Sequence, residues 1–261
     1  MVVYALLDTE VYLTPLSNRP IFMGILDNVM TSDNTQFEMI ELPSKGECYT
    51  KTKRLSIAYL TAEDENIIFS EKLLESETMC DVLLKRKVLD KDFNIEDLCI
   101  GDRQAILMWL RRTGYGDTYT YTDEQGKERR IDLSSITFKD FTLKGDEQGH
   151  FEYVLPNGDI IMYRLLTHRD ETEISRFVEQ IDNEIISGED MSETEYYCKV
   201  ARYILQHQII SVNGSSDINE WLENLHFGEL RQIVEYLQSA VPGTKSNEGL
   251  ELNEDLFFNL K

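Results

Sequence analysis

The hydrophobic pattern changes its period along this chain, and that change is the strongest limit on the fold. Up to about residue 168, short runs alternating at period two stand between short helical segments. Beyond it, apolar residues recur only at helical spacing. A chain that places its strands before its last helices buries them in segregated layers, whereas a parallel sheet needs strands and helices in strict alternation. The expected class is therefore α+β. We expect a strand-rich N-terminal part over 1–60, central helices and β-hairpins over 61–168, and a helical domain over 169–243. A polar tail with an aromatic end follows over 244–261.

Local signals support that division. Val2–Leu7 and Ile21–Met23, separated by Pro15 and Pro20, read as strands or extended arms. Leu42-Pro43-Ser44-Lys45-Gly46 reads as a turn, because Pro fixes φ and Gly allows positive φ. Leu55–Leu60 alternates as a half-buried strand. Thr61 with Asp64 resembles a capping box ahead of a helix near Glu63–Ser70. A helix near Cys80–Val88 ends in Lys85-Arg86-Lys87, which either complements the helix dipole or forms a nucleic-acid patch. Asp102 is expected to cap a helix over Arg103–Arg112, with Gly114 ending it. Thr118–Thr122 and Lys127–Leu133 make one hairpin. Phe151–Leu155 and Ile160–Leu166 make a second around Pro156-Asn157-Gly158-Asp159. Asp170 with Glu173, Ser192 with Glu195, and Asp217 precede helical stripes, and the last helix carries Leu230, Ile233, Val234 and Leu237.

Charge narrows the partners. The chain carries 26 Lys+Arg against 48 Asp+Glu, a formal net charge of −22. From Asp170 to Lys261 there are 19 acidic and 6 basic residues, so −13 of that charge sits on the last 92 residues. A phosphate-backbone binder releases counterions with clustered Lys and Arg, so neither nucleic acid nor an anionic membrane is an expected partner. A basic protein is. No run approaches the roughly 20 apolar residues of a membrane span, and no signal peptide is visible at the start.

Little of the sequence points to chemistry. Cys48, Cys80, Cys99 and Cys198 form no CxxC spacing, so no metal site is expected, and they read as scattered buried thiols of a reducing cytoplasm. There is no phosphate-binding GxxxxGK[ST] loop, no GxGxxG, no HExxH and no GxSxG. His150, His168, His207 and His226 are far apart. The carboxylate pairs Glu63/Asp64 and Glu189/Asp190 lie in charged runs that read as solvated. We expect no catalytic residues, no cofactor and no enzymatic activity.

Four strings are more specific than their composition. The first is Leu42-Pro43-Ser44-Lys45-Gly46 with Tyr49, leading to Leu60-Thr61-Ala62-Glu63-Asp64-Glu65. The second is Ile100-Gly101-Asp102-Arg103-Gln104-Ala105-Ile106-Leu107, then Leu110-Arg111 and Tyr115-Gly116-Asp117-Thr118-Tyr119. The third is Val154-Leu155-Pro156-Asn157-Gly158, then Tyr163–Glu171. The fourth is Val241-Pro242-Gly243 with Leu250–Phe258. In this order, from about Phe37 to Phe258, the chain resembles the baseplate hub assembly proteins of T4-like contractile-tailed bacteriophages.

The resemblance implies non-enzymatic work in forming a baseplate hub, as a structural subunit or an assembly chaperone, in the virion tail or the host cytoplasm. The implied partners are other baseplate or hub proteins in an oligomeric assembly. Many proteins that the chain resembles carry Cys pairs after the Tyr-Gly strand, as a small metal-binding knuckle. Here Thr122-Asp123-Glu124-Gln125-Gly126 holds no cysteine, which implies a loop kept by hairpin packing alone. Arg103, Arg111, Arg112 and Arg164 either pair within the fold or reach across an interface, where the planar guanidinium is favoured. Phe257 and Phe258 either tuck back onto the domain or meet a partner. Outside the resemblance, the alternative is a cytosolic protein-binding adaptor with an acidic helical domain.

Overall fold

The computed structural model describes residues 35–50, 52–75, 78–122, 126–188, 190–243 and 258. The fold is α+β. Strand β1 (Phe37–Glu41) pairs antiparallel with β2 (Arg54–Ala58), Ile40 opposite Leu55. A 3-10 turn over Ala62–Asp64 leads into short helices α1 (Glu65–Ile68) and α2 (Glu71–Glu75), then α3 (Met79–Lys87) and the long α4 (Ile100–Tyr115). Hairpin β3 (Thr118–Thr122) with β4 (Glu128–Asp132) follows. Strands β5 (Phe151–Val154), β6 (Ile160–Tyr163) and β7 (Ile209–Val212) form an antiparallel sheet in that order. Helices α5 (His168–Ile186), α6 (Glu193–Gln208), α7 (Asn219–Asn224) and α8 (Phe227–Ala240) complete the described part.

The expected stripes are the buried ones. Leu55 and Ile57 point inward from β2, and Ile106, Leu107 and Leu110 do so from α4. Leu230, Ile233, Val234 and Leu237 do the same from α8. Fully burying one such side chain stabilises a fold by roughly 1.5–3 kcal/mol. They gather in three clusters. The first takes β2, α3 and α4 together with Leu133 and Phe258, and the second takes the three-stranded sheet with α6 and α8. A smaller third cluster lies between α5 and α6 and includes Ile100. The first cluster runs from Leu42 to Leu133 and so crosses the boundary expected near residue 60. The second runs from Phe141 to Leu237, apart from Cys99, and crosses the one near 168.

Four local expectations change. Helix α4 begins at Ile100 with Cys99 at its cap, so Asp102 does not cap it, for a reason given below. Gly116, at φ 83°, receives the end of α4, while Gly114 stays helical with Leu60 packed where a Cβ would stand. Helix α5 starts three residues early: Thr167 and Asp170 form its capping box, not Asp170 and Glu173. Strand β7 follows α6 with no turn between them, so no Gly or Pro marks it in the sequence. The runs Val2–Leu7 and Ile21–Met23, most of the 123–126 turn and Phe257 lie outside the described residues.

Candidate functional site

Three of the four strings, with the first residues of the fourth, converge on the start of α4. Asp102 sits in the first turn, where the free N–H groups and the helix dipole favour a carboxylate. It is fully buried and turned away from its own helix toward the 42–49 turn. There it accepts hydrogen bonds from Ser44 N at 2.8 Å, Ser44 Oγ at 2.5 Å and the Tyr49 hydroxyl at 2.8 Å. The Tyr49 hydroxyl in turn accepts the Cys99 backbone N–H at 3.0 Å. This demand on Asp102 from a turn more than 50 residues earlier leaves the cap position to Cys99. Burial pushes the Asp102 carboxyl above its usual range despite the three donors, and burial also raises the Tyr49 phenol and the Cys99 thiol well above theirs.

The other strings close the same junction. Cys99 bridges to Thr167, and Leu98 O accepts His168 N at 3.1 Å, which sets the starts of α4 and α5 side by side. A Cβ on Gly101 would lie 1.7 Å from the carbonyl oxygen of Pro242, so only glycine admits that strand of backbone. Gly243 O then accepts Lys139 N at 2.8 Å. On the outer side the turn is anchored by Lys45 to Asp140 at 2.6 Å and by Glu47 to Lys144 at 2.8 Å.

Beside this junction lies an ionic cluster shared by three helices. Asp81 of α3 stands 2.9 Å from Arg103 Nη1 of α4 and 2.9 Å from His168 Nε2 of α5, and Glu171 lies 3.6 Å from His168 Nδ1. Burial opposes the imidazolium, but the bonds to Asp81 and Glu171 outweigh it and push His168 up to about 9. Burial likewise opposes the Asp81 carboxylate, and His168 and Arg103 hold it below the usual range.

A folded-state value above the ordinary 6.5 makes the charged His168 stabilising. That contribution is fully present below about pH 6.5 and is lost as pH rises through about 9. His168→Gln is therefore expected to lower stability near neutral pH by at most about 3 kcal/mol. The deficit relative to the parent narrows in alkaline solution, read from denaturant midpoints at matched pH. A deficit constant from about pH 6 to about pH 10 removes this account of the cluster.

A second buried network holds the end of α3. Asp64 is fully buried, which corrects the expectation that the Glu63/Asp64 pair is solvated; Glu63 alone is exposed. Asp64 Oδ2 accepts from Thr61 N at 2.6 Å and Thr61 Oγ1 at 2.9 Å, pairs with Lys87, and its Oδ1 lies 2.8 Å from Arg86 Nε. Lys87 also donates to Tyr59 O at 2.9 Å, and Lys85 pairs with Glu96. The basic run at the end of α3 is thus committed to carboxylates of its own chain.

The fold distributes the candidate interface residues unevenly. Arg103 is 2% exposed and held by Asp81. Arg111 is 3% exposed, donates to Gly116 O and Thr118 O at 3.1 Å each, and lies over the Tyr115 ring. Phe258 is 1% exposed and meets Tyr115 edge-on at 6.4 Å. Of the two alternatives that the sequence leaves open for each, the fold places these three inside, buried among residues of the chain itself. Arg112 stays at the surface, 2.6 Å from Asp117. Arg164 grips Asp170 through two bonds of 2.6 and 2.7 Å, the internal pair that the sequence suggests.

No family model, curated protein or solved structure matches this chain.

Sequence reading missed Asp81 altogether, since nothing near it in the chain marks it. Ser44, Tyr49 and His168 stand inside the quoted strings, yet their partners are 58, 53 and 87 residues away and only folding brings them together. Among the described residues no group of three His, Cys, Asp or Glu is arranged to hold a metal ion. No helix among them is long and apolar enough to cross a membrane. A different kind of surface lies at the far end of α5. Between Arg176 and Lys199 the sequence has seven acids and no base. Among the described residues, Glu179, Asp182, Glu184, Asp190, Glu193 and Glu195 enter no ion pair. Ile186 stands among them 72% exposed.

Proposed function

We propose that this chain is a non-enzymatic protein of baseplate hub formation in a contractile phage tail, acting on other baseplate or hub proteins as structural subunit or assembly chaperone. The observation that carries the reading is the ordered set of four strings. It is supported by where their residues stand, since three strings and the start of the fourth meet at the beginning of α4. Buried carboxylates that accept several hydrogen bonds or pair with Arg and Lys are what a junction that keeps its shape needs. Strings shared for the sake of such a junction are what a common scaffold requires. The unpaired carboxylates of the α5–α6 end suit a basic partner, which they would steer and keep soluble during assembly. The place of action on this reading is the virion tail or the host cytoplasm.

Mass spectrometry of purified tails separates the two roles. A subunit is present in finished particles at a fixed ratio to other hub proteins, while a chaperone is needed for assembly but absent from them. Normal tails after deletion of the gene overturn both. The second reading is a cytosolic adaptor that binds a basic protein through the acidic end of the helical region. The six unpaired carboxylates favour it equally well, and the deletion result decides between them.

A further inference from the structure

The third hydrophobic cluster, between α5 and α6, is covered at one end and open at the other. Ile100 and Leu166, near the start of α5, are buried, whereas Ile185, Met191 and Tyr196, near the turn joining the two helices, are only partly so. Ile186 ends α5 with 72% of its surface exposed, the most exposed large hydrophobic side chain among the described residues. Three hydrogen bonds fix its surroundings. The Tyr196 hydroxyl donates to Asp182 Oδ1 at 3.2 Å, one turn before Ile186, and so holds the start of α6 beside the last turn of α5. Gly188, at φ 103°, donates its N–H to Ile185 O at 3.0 Å, and Ser192 Oγ accepts Glu195 N at 3.2 Å to cap α6. A lone exposed isoleucine is ordinary, but one that continues the half-covered edge of a cluster makes an apolar face. Carboxylates surround that face. Glu179 and Asp182 lie seven and four residues before Ile186, on its side of α5, and Asp190 and Glu193 follow across the turn. None of the four enters an ion pair among the described residues.

We propose that the turn end of α5 and α6 is a docking face for a basic amphipathic helix of another protein. The apolar stripe of that helix covers Ile186 with the half-buried Ile185 and Met191, while its Lys and Arg meet Glu179, Asp182, Asp190 and Glu193. This rests on the reading above that the partner is basic, and adds the form that the docking segment takes. A helix suits the face because residues at i, i+3, i+4 and i+7 project together onto a neighbouring helix pair. An extended polybasic tail answers the carboxylates alone and leaves Ile186 bare. The charge also sorts the other occupants. A second copy of this chain brings −13 on its own last 92 residues, and an anionic membrane repels the same carboxylates. The apolar centre gives the contact its lifetime, and the acidic surround gives it speed and selects the sign of the partner.

The test uses the full-length protein and a labelled synthetic peptide of about 14 residues, with Leu at i, i+3, i+4 and i+7 spacing and Lys elsewhere. A scrambled peptide of the same composition carries the charge without the stripe. Fluorescence anisotropy is expected to show saturable binding of the striped peptide, roughly tenfold tighter than the scrambled one. Ile186→Ser, a change at an exposed position that keeps the parent's melting temperature, weakens the striped peptide by roughly tenfold and leaves the scrambled one unchanged. Asp190→Asn with Glu193→Gln weakens both peptides and flattens their salt dependence. No binding, equal affinities for the two peptides, or no effect of Ile186→Ser overturns the proposal. Self-association of the protein alone, abolished by Ile186→Ser, assigns the face to a second copy and overturns it too. The measurement needs no phage protein. Its failure therefore leaves the hub reading to the deletion result, and normal tails after deletion leave the docking face standing.

Discussion

Asp64→Ala is expected to cost about 3–5 kcal/mol of folding stability, which places it among the most damaging single changes in the chain. The carboxylate is fully buried and serves four groups at once: Thr61 N, Thr61 Oγ1, Lys87 and Arg86. Removing it leaves the Lys87 ammonium, itself buried, with Tyr59 O as its remaining partner. An uncompensated buried charge costs far more than the net worth of the pair, since desolvation is no longer offset. Arg86 suffers less because Glu63 stays 2.7 Å away. A double variant separates the two effects. Asp64→Leu with Lys87→Met replaces the pair by apolar groups of similar reach and is expected to recover at least half of the loss. Urea midpoints of the parent, both single variants and the double variant form the cycle. Additive costs mean that the two side chains do not depend on one another. Burial opposes the Asp64 carboxylate, and Lys87 and Thr61 hold it below its usual range. Its contribution is therefore present above about pH 4 and is lost as pH falls through the folded value.

The second large effect belongs to Asp102. Asp102→Ala strips the acceptor from Ser44 N, Ser44 Oγ and Tyr49 Oη together, and each orphaned buried donor costs about 1–3 kcal/mol. Discounting for the relief of a carboxylate whose own burial is costly leaves an expected loss of about 4 kcal/mol. Asp102→Asn loses about half as much, because its amide oxygen still accepts Ser44 N–H and its amide nitrogen can donate to either hydroxyl oxygen. Hydrogen exchange gives the local readout. Amides of residues 44–49 lose protection in Asp102→Ala while those of α8 keep theirs. Uniform loss across both regions contradicts a local anchor.

How much of this was legible depends on how far the partners lie apart. The stripes of α8 and the alternation of β2 are visible because a helix or strand writes its buried face into its own sequence. The Thr61/Asp64 box is visible for the same reason, yet its charge network is not: Lys87 is 23 residues beyond Asp64 and reads as a helix-end cation. Asp102 is misread by the same logic. Its position suits a helix cap, and only the distant Ser44 and Tyr49 draw it to a different task. Gly101 shows the limit most plainly. Glycine has poor helix propensity, and the reason for it in the first turn of α4 is a carbonyl 141 residues later.

Phe258 has a consequence for how the molecule is made. It fills a place in the cluster formed by β2, α3 and α4, although α8, the last described helix before it, belongs to the other cluster. The first cluster to emerge during synthesis is therefore among the last to be finished, since its final side chain is supplied only after the second cluster's helices exist. A fragment ending at residue 243 leaves an apolar socket beside Tyr115, and so offers a sticky surface that the intact chain conceals.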